Sequence, residues 1–123
     1  MPLPKNNNIA NRFLNQLSAA YRTRFVASCA PVELNFADVI TQPGDSLTHV
    51  YFPGGSFISQ IAQIERRGIE VALVGDEGMY GIQVGMGLLD SPVRAVVQGA
   101  GPALRMPVLA FRRHLEKSPE LRR

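Results

Sequence analysis

Between residues 32 and 107 the chain is a succession of short β-prone runs cut by Pro, Gly, Asp and Asn, and no other feature constrains its fold as strongly. Long helices do not survive such punctuation, whereas short strands joined by tight turns are what it encodes. The predicted strands are 32–36, 39–41, 49–52, 57–64, 69–74, 94–98 and 103–106. The clearest hairpin joins 57–64 to 69–74 through Glu65, Arg66, Arg67 and Gly68, with Gly68 supplying the positive φ of a short loop. The residues alone point to a compact all-β roll or sandwich.

Helical patterns flank this region. After the asparagines at 6–8, Ile9, Phe13, Leu14 and Leu17 recur at helical spacing, and Ser18 is placed to cap a second helix carrying Tyr21, Phe25 and Val26. Pro31 then forces the chain out of helical geometry. Beyond Met106 the pattern turns helical again. Pro107 suits a first turn, Leu109, Phe111 and Leu115 supply apolar anchors, and that helix is expected to end near Lys117. Ser118, Pro119 and Glu120 form a second helix-start signal, with only Leu121, Arg122 and Arg123 behind it. The expectation is a piece of a longer protein.

With 123 residues, 46% of them hydrophobic, the chain has the material for one domain and one core. No apolar run reaches the roughly 18 residues that cross a membrane, and the polar N-terminus lacks the apolar core of a signal peptide. The lone Cys29, in an apolar context, reads as a buried, inert thiol of a reducing compartment. A cytoplasmic protein without membrane contact is therefore expected.

The net charge of +3 does not by itself announce a nucleic-acid binder. Six of thirteen basic residues (Arg105, Arg112, Arg113, Lys117, Arg122 and Arg123) fall in the last nineteen positions, but neither an aromatic stacking series nor a recognition-helix motif accompanies them. A solvated helix face accounts for them. His49 and His114 have no second histidine at ligand spacing, so no metal site is expected. No Ser, Cys or Lys has an evident base partner, and the histidine and carboxylate cluster of cupin-like jelly-roll enzymes is missing from the sequence. No catalytic residue is assigned, and the chain is not expected to be an enzyme.

The segments QPGDSLTHVYFPGGSF, VALVGDEGMYG and SPVRAVVQGAGPALRMP resemble, in order and spacing, the effector domain of the Crp/Fnr family of transcription regulators. The likeness runs over nearly the whole chain. It implies a mainly β (α+β) fold, an eight-stranded jelly-roll-like β-roll of the cyclic-nucleotide-binding type flanked by short helices. On that reading residues 1–123 are a single domain, with a helical lead-in at 6–30, the β-roll at 32–107 and a C-terminal helical segment at 108–123 that begins a dimer helix. The resemblance also implies a homodimer through the rest of that helix, and DNA contact only through a helix-turn-helix outside this chain.

In members that bind a cyclic nucleotide, a short helix between two strands and an arginine meet the cyclic phosphate. The matching stretches here are 75–84 and 91–95. Gly81 matches the glycine before the cassette glutamate, Arg94 the phosphate arginine, and Ala95 the position where Ser or Thr often adds a hydrogen bond. Gly81, Ile82, Gln83, Arg94 and Ala95 are thus the candidate ligand-binding residues. Ile82 departs from the pattern: it stands where a glutamate accepts from the ribose hydroxyl, and isoleucine accepts nothing. No cofactor is assigned, and a cyclic nucleotide effector is placed in doubt by that exchange. Two readings remain. In one, the roll senses a small anionic ligand at Arg94. In the other, Arg94 pairs with Asp90, Asp76 or Glu77, Ile82 fills the sugar end, and the roll is a structural or protein-interaction domain.

Overall fold

The computed structural model describes residues 10–117. Its strands are β1 (Ala30–Leu34), β2 (Val39–Thr41), β3 (His49–Pro53), β4 (Phe57–Ile64), β5 (Arg67–Val74), β6 (Arg94–Gly99) and β7 (Gly101–Pro107). The helices are α1 (Arg12–Asn15), α2 (Ala19–Val26), a 3₁₀ helix (Ile82–Met86) and α3 (Val108–Lys117). Every predicted strand is present, its ends displaced by at most two residues. The strands form two antiparallel sheets, ordered β1-β7-β3 and β2-β6-β4-β5. This is the mainly β roll that the resemblance implied.

Among the described residues seven strands are formed where the resemblance implied eight. The further pairings are reduced to isolated bridges, Tyr51 with Tyr80 and Ser46 with Asp90. Tyr80 exchanges both backbone bonds with Tyr51, at 2.8 and 3.0 Å, but the next residue, Gly81, turns left-handed at φ +103 and leads the chain away from β3. Pairing cannot propagate past such a residue.

The β4–β5 hairpin corrects the expectation about its turn. Ile64 pairs with Arg67, so the loop is only Glu65 and Arg66, and these two residues carry the positive φ values of 52 and 68. A two-residue loop with both residues left-handed is the turn whose twist matches the flanking strands. Gly68 instead lies within β5 opposite Gln63, where a β-carbon would stand 3.1 Å from Ile61 Cγ2.

Asn11 caps α1 by accepting from the Leu14 amide at 3.0 Å, and its own amide donates to the Pro53 and Gly78 carbonyls, both at 2.8 Å. One buried side chain thereby docks the lead-in onto the roll. Ser18 holds the N-cap position of α2 through its carbonyl, which accepts from Arg22 N–H at 2.8 Å, while its side chain makes no cap bond. Ile9 and the start signal at 118–120 lie outside the described residues.

The core centres on Phe25 of α2, whose ring meets Phe52 edge-on at 5.5 Å and Phe111 at 6.4 Å. Leu14, Val50, Met106 and Val108 complete this helix-facing layer. Burying each such side chain stabilises the fold by about 1.5–3 kcal/mol. Two expectations about α3 need correction. Pro107 is the last residue of β7, opposite His49, and α3 begins at Val108, whose N–H donates to the Thr48 carbonyl at 3.0 Å. Leu109 is exposed; Val108, Phe111 and Leu115 are the positions that turn inward.

Candidate functional site

The two stretches picked out by the sequence, 75–84 and 91–95, are held together by a triad of buried hydroxyls. Thr41 Oγ1 lies 2.7 Å from Tyr80 Oη and 3.3 Å from Ser91 Oγ, and Tyr80 Oη lies 3.4 Å from Ser91 Oγ. Ser91 in turn donates to the Val93 carbonyl at 2.7 Å. All three residues are buried, so each hydroxyl has a partner where an unpaired one would be costly. The triad fixes Tyr80, and with it the start of the 3₁₀ helix, against the turn that leads into β6.

Each candidate residue has a defined place. Gly81 is buried, and a β-carbon there would stand 2.9 Å from Val50 Cγ1. Ile82 opens the 3₁₀ helix and is 61% exposed. Gln83 is half-buried, and its carbonyl accepts from Leu88 N–H at 3.1 Å. The 3₁₀ helix leans on α3 at Gly85, where Leu115 Cδ1 is 3.3 Å from the place of a β-carbon. Ala95 is fully buried among core residues, opposite Thr41 and Gln60.

Arg94 starts β6 and points to the other face. Side chains alternate along a strand, so Ala95 and Val97 enter the core while Arg94 and Val96 share the reverse side of the sheet. Directly opposed residues of antiparallel strands project to the same side. Val96 is opposed by Val39 of β2 and by Ser59 of β4, and Ser59 is opposed by Leu73 of β5. Val39, Val96, Ser59 and Leu73 therefore form one row across all four strands. The adjacent row is Arg94, Ile61 and Glu70. Val96 and Ser59 are buried as a floor, whereas Val39 and Leu73 stand out at 42% and 51% exposure.

The carboxylates considered as partners for Arg94 are engaged elsewhere. Asp76 pairs with Arg12 at 3.6 Å, Asp90 accepts from Ser46 Oγ at 3.1 Å, and Glu77 accepts from the Gly75 amide at 3.1 Å. That backbone hydrogen bonding, chiefly, holds the Glu77 carboxyl below its ordinary pKa. Among the described residues Arg94 is exposed and enters no ion pair. Ile82 is not packed into the fold, so it does not close the site from within.

The Val39–Leu73 row was not legible in the sequence, because it depends on which strands neighbour one another and in what register. Its sequence signal, Val or Leu at alternate positions of β-prone runs, is the ordinary signal of a core face. Two clefts lie nearby. One, of about 330 Å³, is lined by Phe57, Leu73, Asp76 and Glu77 among others. The other, of about 310 Å³, is lined by Thr41, Asp45, Thr48, His49 and Tyr51 among others. Neither is lined by any of the five candidate residues. Cys29 is half-buried where the sequence reading expects a buried thiol, and desolvation pushes that thiol up to about 12, so it stays protonated near neutral pH. Among the described residues no helix is long and apolar enough to cross a membrane.

No family model matches the sequence, and no curated protein matches it. Solved structures do. The sensor domain of the transcriptional regulator DNR from Pseudomonas aeruginosa is similar with a TM-score of 0.70 at 14% identity, over 89% of this chain and 78% of that one. The N-terminal domain of a transcriptional regulator from Streptomyces coelicolor A3(2) gives 0.73 at 17% identity, over 96% and 80%. The Catabolite Activator Protein of Thermus thermophilus gives 0.75 at 12%, over 86% of this chain and 50% of that one. This chain thus spans about half the length of the Thermus protein. The chain has the β-roll fold of these regulatory proteins, and they are named as regulators and activators, not as enzymes.

Proposed function

We propose that the chain is the ligand-sensing domain of a Crp/Fnr-type transcription regulator, and that its effector is a small anion received at Arg94. The observation that carries this reading is Arg94 itself, an exposed cation without a carboxylate partner among the described residues, set at one end of a largely apolar sheet face. A guanidinium in that position offers charge-assisted hydrogen bonds to a carboxylate or phosphate. The resemblance assigns Gly81, Ile82 and Gln83, at the start of the 3₁₀ helix, to the same ligand. Ala95 contributes from behind, by letting β6 pack closely on the core.

In this proposal residues 1–123 act as one domain: a lead-in at 6–30, the roll at 32–107, and a segment at 108–123 that opens a dimer helix. Effector binding shifts the equilibrium between two arrangements of the 3₁₀ helix and α3, which touch at Gly85 and Leu115. The response passes through homodimerisation to a DNA-binding part beyond this chain, in a cytoplasmic regulator without membrane contact.

A second reading, a protein-interaction roll that binds no nucleotide, is favoured by Ile82, Met86 and Leu88, each more than half exposed around the 3₁₀ helix. Calorimetric titration with cyclic AMP, cyclic GMP and a fatty carboxylate, for the wild type and Arg94→Ala, tests whether at least one anion is received there. Saturable binding that weakens about tenfold to a hundredfold in the variant is expected for the loss of a charge-assisted contact. Anion binding of equal affinity in Arg94→Ala overturns the assignment of Arg94.

A further inference from the structure

We infer that the effector is an amphiphilic monoanion, a carboxylate or phosphate monoester on an extended apolar body, in place of a nucleotide; this rests on the reading that Arg94 receives the anionic group. The argument is the chemistry of the face on which Arg94 stands. Beside Arg94 lies Ile61, and the next row is Val39, Val96, Ser59 and Leu73. Leu73 of that row and Phe57 beyond it form the apolar wall of the cleft of about 330 Å³. Four residue steps along β4 lead from Ile61 to Phe57, so the apolar track is about 13 Å long.

Arg94 stands at one end, with Glu70 on the edge strand across Ile61 in the same row, and the far cleft is bordered by the carboxylates of Asp76 and Glu77. An anionic head is attracted to the Arg94 end and repelled from the other two positions. A body reaching from Arg94 toward Phe57 is accordingly neutral.

The track has little to offer a sugar or a base. Its one hydroxyl, Ser59 Oγ, is fully buried in the floor and has no hydrogen-bond partner. Ribose hydroxyls and ring nitrogens laid on Val39, Val96 and Leu73 would lose water without replacement, whereas an alkyl or aryl body gains by leaving water.

Titration of the full chain with decanoate, acetate, 1-decanol and cyclic AMP at fixed ionic strength tests this. Saturable 1:1 binding of decanoate is expected, at least tenfold tighter than that of acetate or cyclic AMP. Arg94→Gln should weaken decanoate at least tenfold and leave 1-decanol unchanged. Leu73→Asp should weaken decanoate similarly, and Val39→Asp provides a second test on β2; both side chains are exposed, and circular dichroism checks that the variants fold. Tighter binding of cyclic AMP, lost in Arg94→Gln, overturns the inference while the anion-sensing reading stands. Decanoate binding indifferent to Leu73→Asp and Val39→Asp also overturns the inference alone. Failure of every anion to bind, or indifference of all anion binding to Arg94→Gln, removes both.

Discussion

Tyr80 Oη stands 2.7 Å from Thr41 Oγ1, and this contact joins the residue before the 3₁₀ helix to the last residue of β2. Tyr80 is also bridged through its backbone to Tyr51 on the opposite sheet. One residue therefore ties both sheets to the start of the 3₁₀ helix. In Tyr80→Phe the ring remains but Thr41 keeps only its 3.3 Å contact to Ser91. A loss of about 1 kcal/mol in urea unfolding is expected. A double-mutant cycle with Thr41→Val should show coupling between the two positions; strictly additive effects would mean that the hydroxyl contact carries no stability.

Gly81 is expected to tolerate no side chain. Its φ of +103 is unfavourable for any residue with a β-carbon, and that carbon would stand 2.9 Å from Val50 Cγ1 in the core. Gly81→Ala should cost roughly 2 kcal/mol or more, combining backbone strain with overpacking. Gly87→Ala supplies the control: its φ is +81, but nothing lies within 4 Å of the added carbon. A smaller loss there than at Gly81, measured by thermal unfolding, would separate the two contributions.

Acidification should weaken the docking of α3. His114 Nδ1 lies 2.9 Å from Tyr21 Oη and Nε2 lies 3.1 Å from Ser28 Oγ, so the ring bridges α3 to α2 and the turn after it. Its pKa is held below the ordinary 6.5, first by burial and then by the charges of Lys117 and Arg24. The unfolded chain therefore takes up the proton more readily than the folded one. The contribution is fully present above pH 6.5 and is lost as pH falls from there toward the lower folded pKa. The His49 pKa is lowered too, by burial and by Arg105, and adds a loss in the same direction. His114→Gln should flatten the pH dependence of unfolding between neutral and mildly acidic pH. An unchanged slope would assign the effect to other groups.

How much of this was readable in the chain differs by element. Val, Ile and Phe runs bounded by Pro and Gly located every strand, because strand formation and termination are set by nearest neighbours along the chain. Arg94 was identified from its motif context, and its position at the start of β6 followed. Composition points to Gly68 for the hairpin turn because glycine favours positive φ, whereas the pairing of Ile64 with Arg67 leaves only Glu65 and Arg66 to make the reversal. Leu109 fits the apolar spacing of α3 and is nonetheless exposed, because helical spacing alone does not reveal which stripe of α3 faces the core.

The sequence by itself determined the succession of strands and helices, the absence of a glutamate at Ile82 and the presence of Arg94. Only the tertiary structure decided that Arg94 has no ion pair among the described residues, that Ile82 stays exposed, and that Val39, Val96, Ser59 and Leu73 line up beside Arg94. The reason is physical: strand identity is local, but the four residues of that row lie on strands from 39 to 96 in sequence. Their common face is created by the order β2-β6-β4-β5 and its register. A one-residue slip in any pairing would turn the row away from Arg94 and into the core.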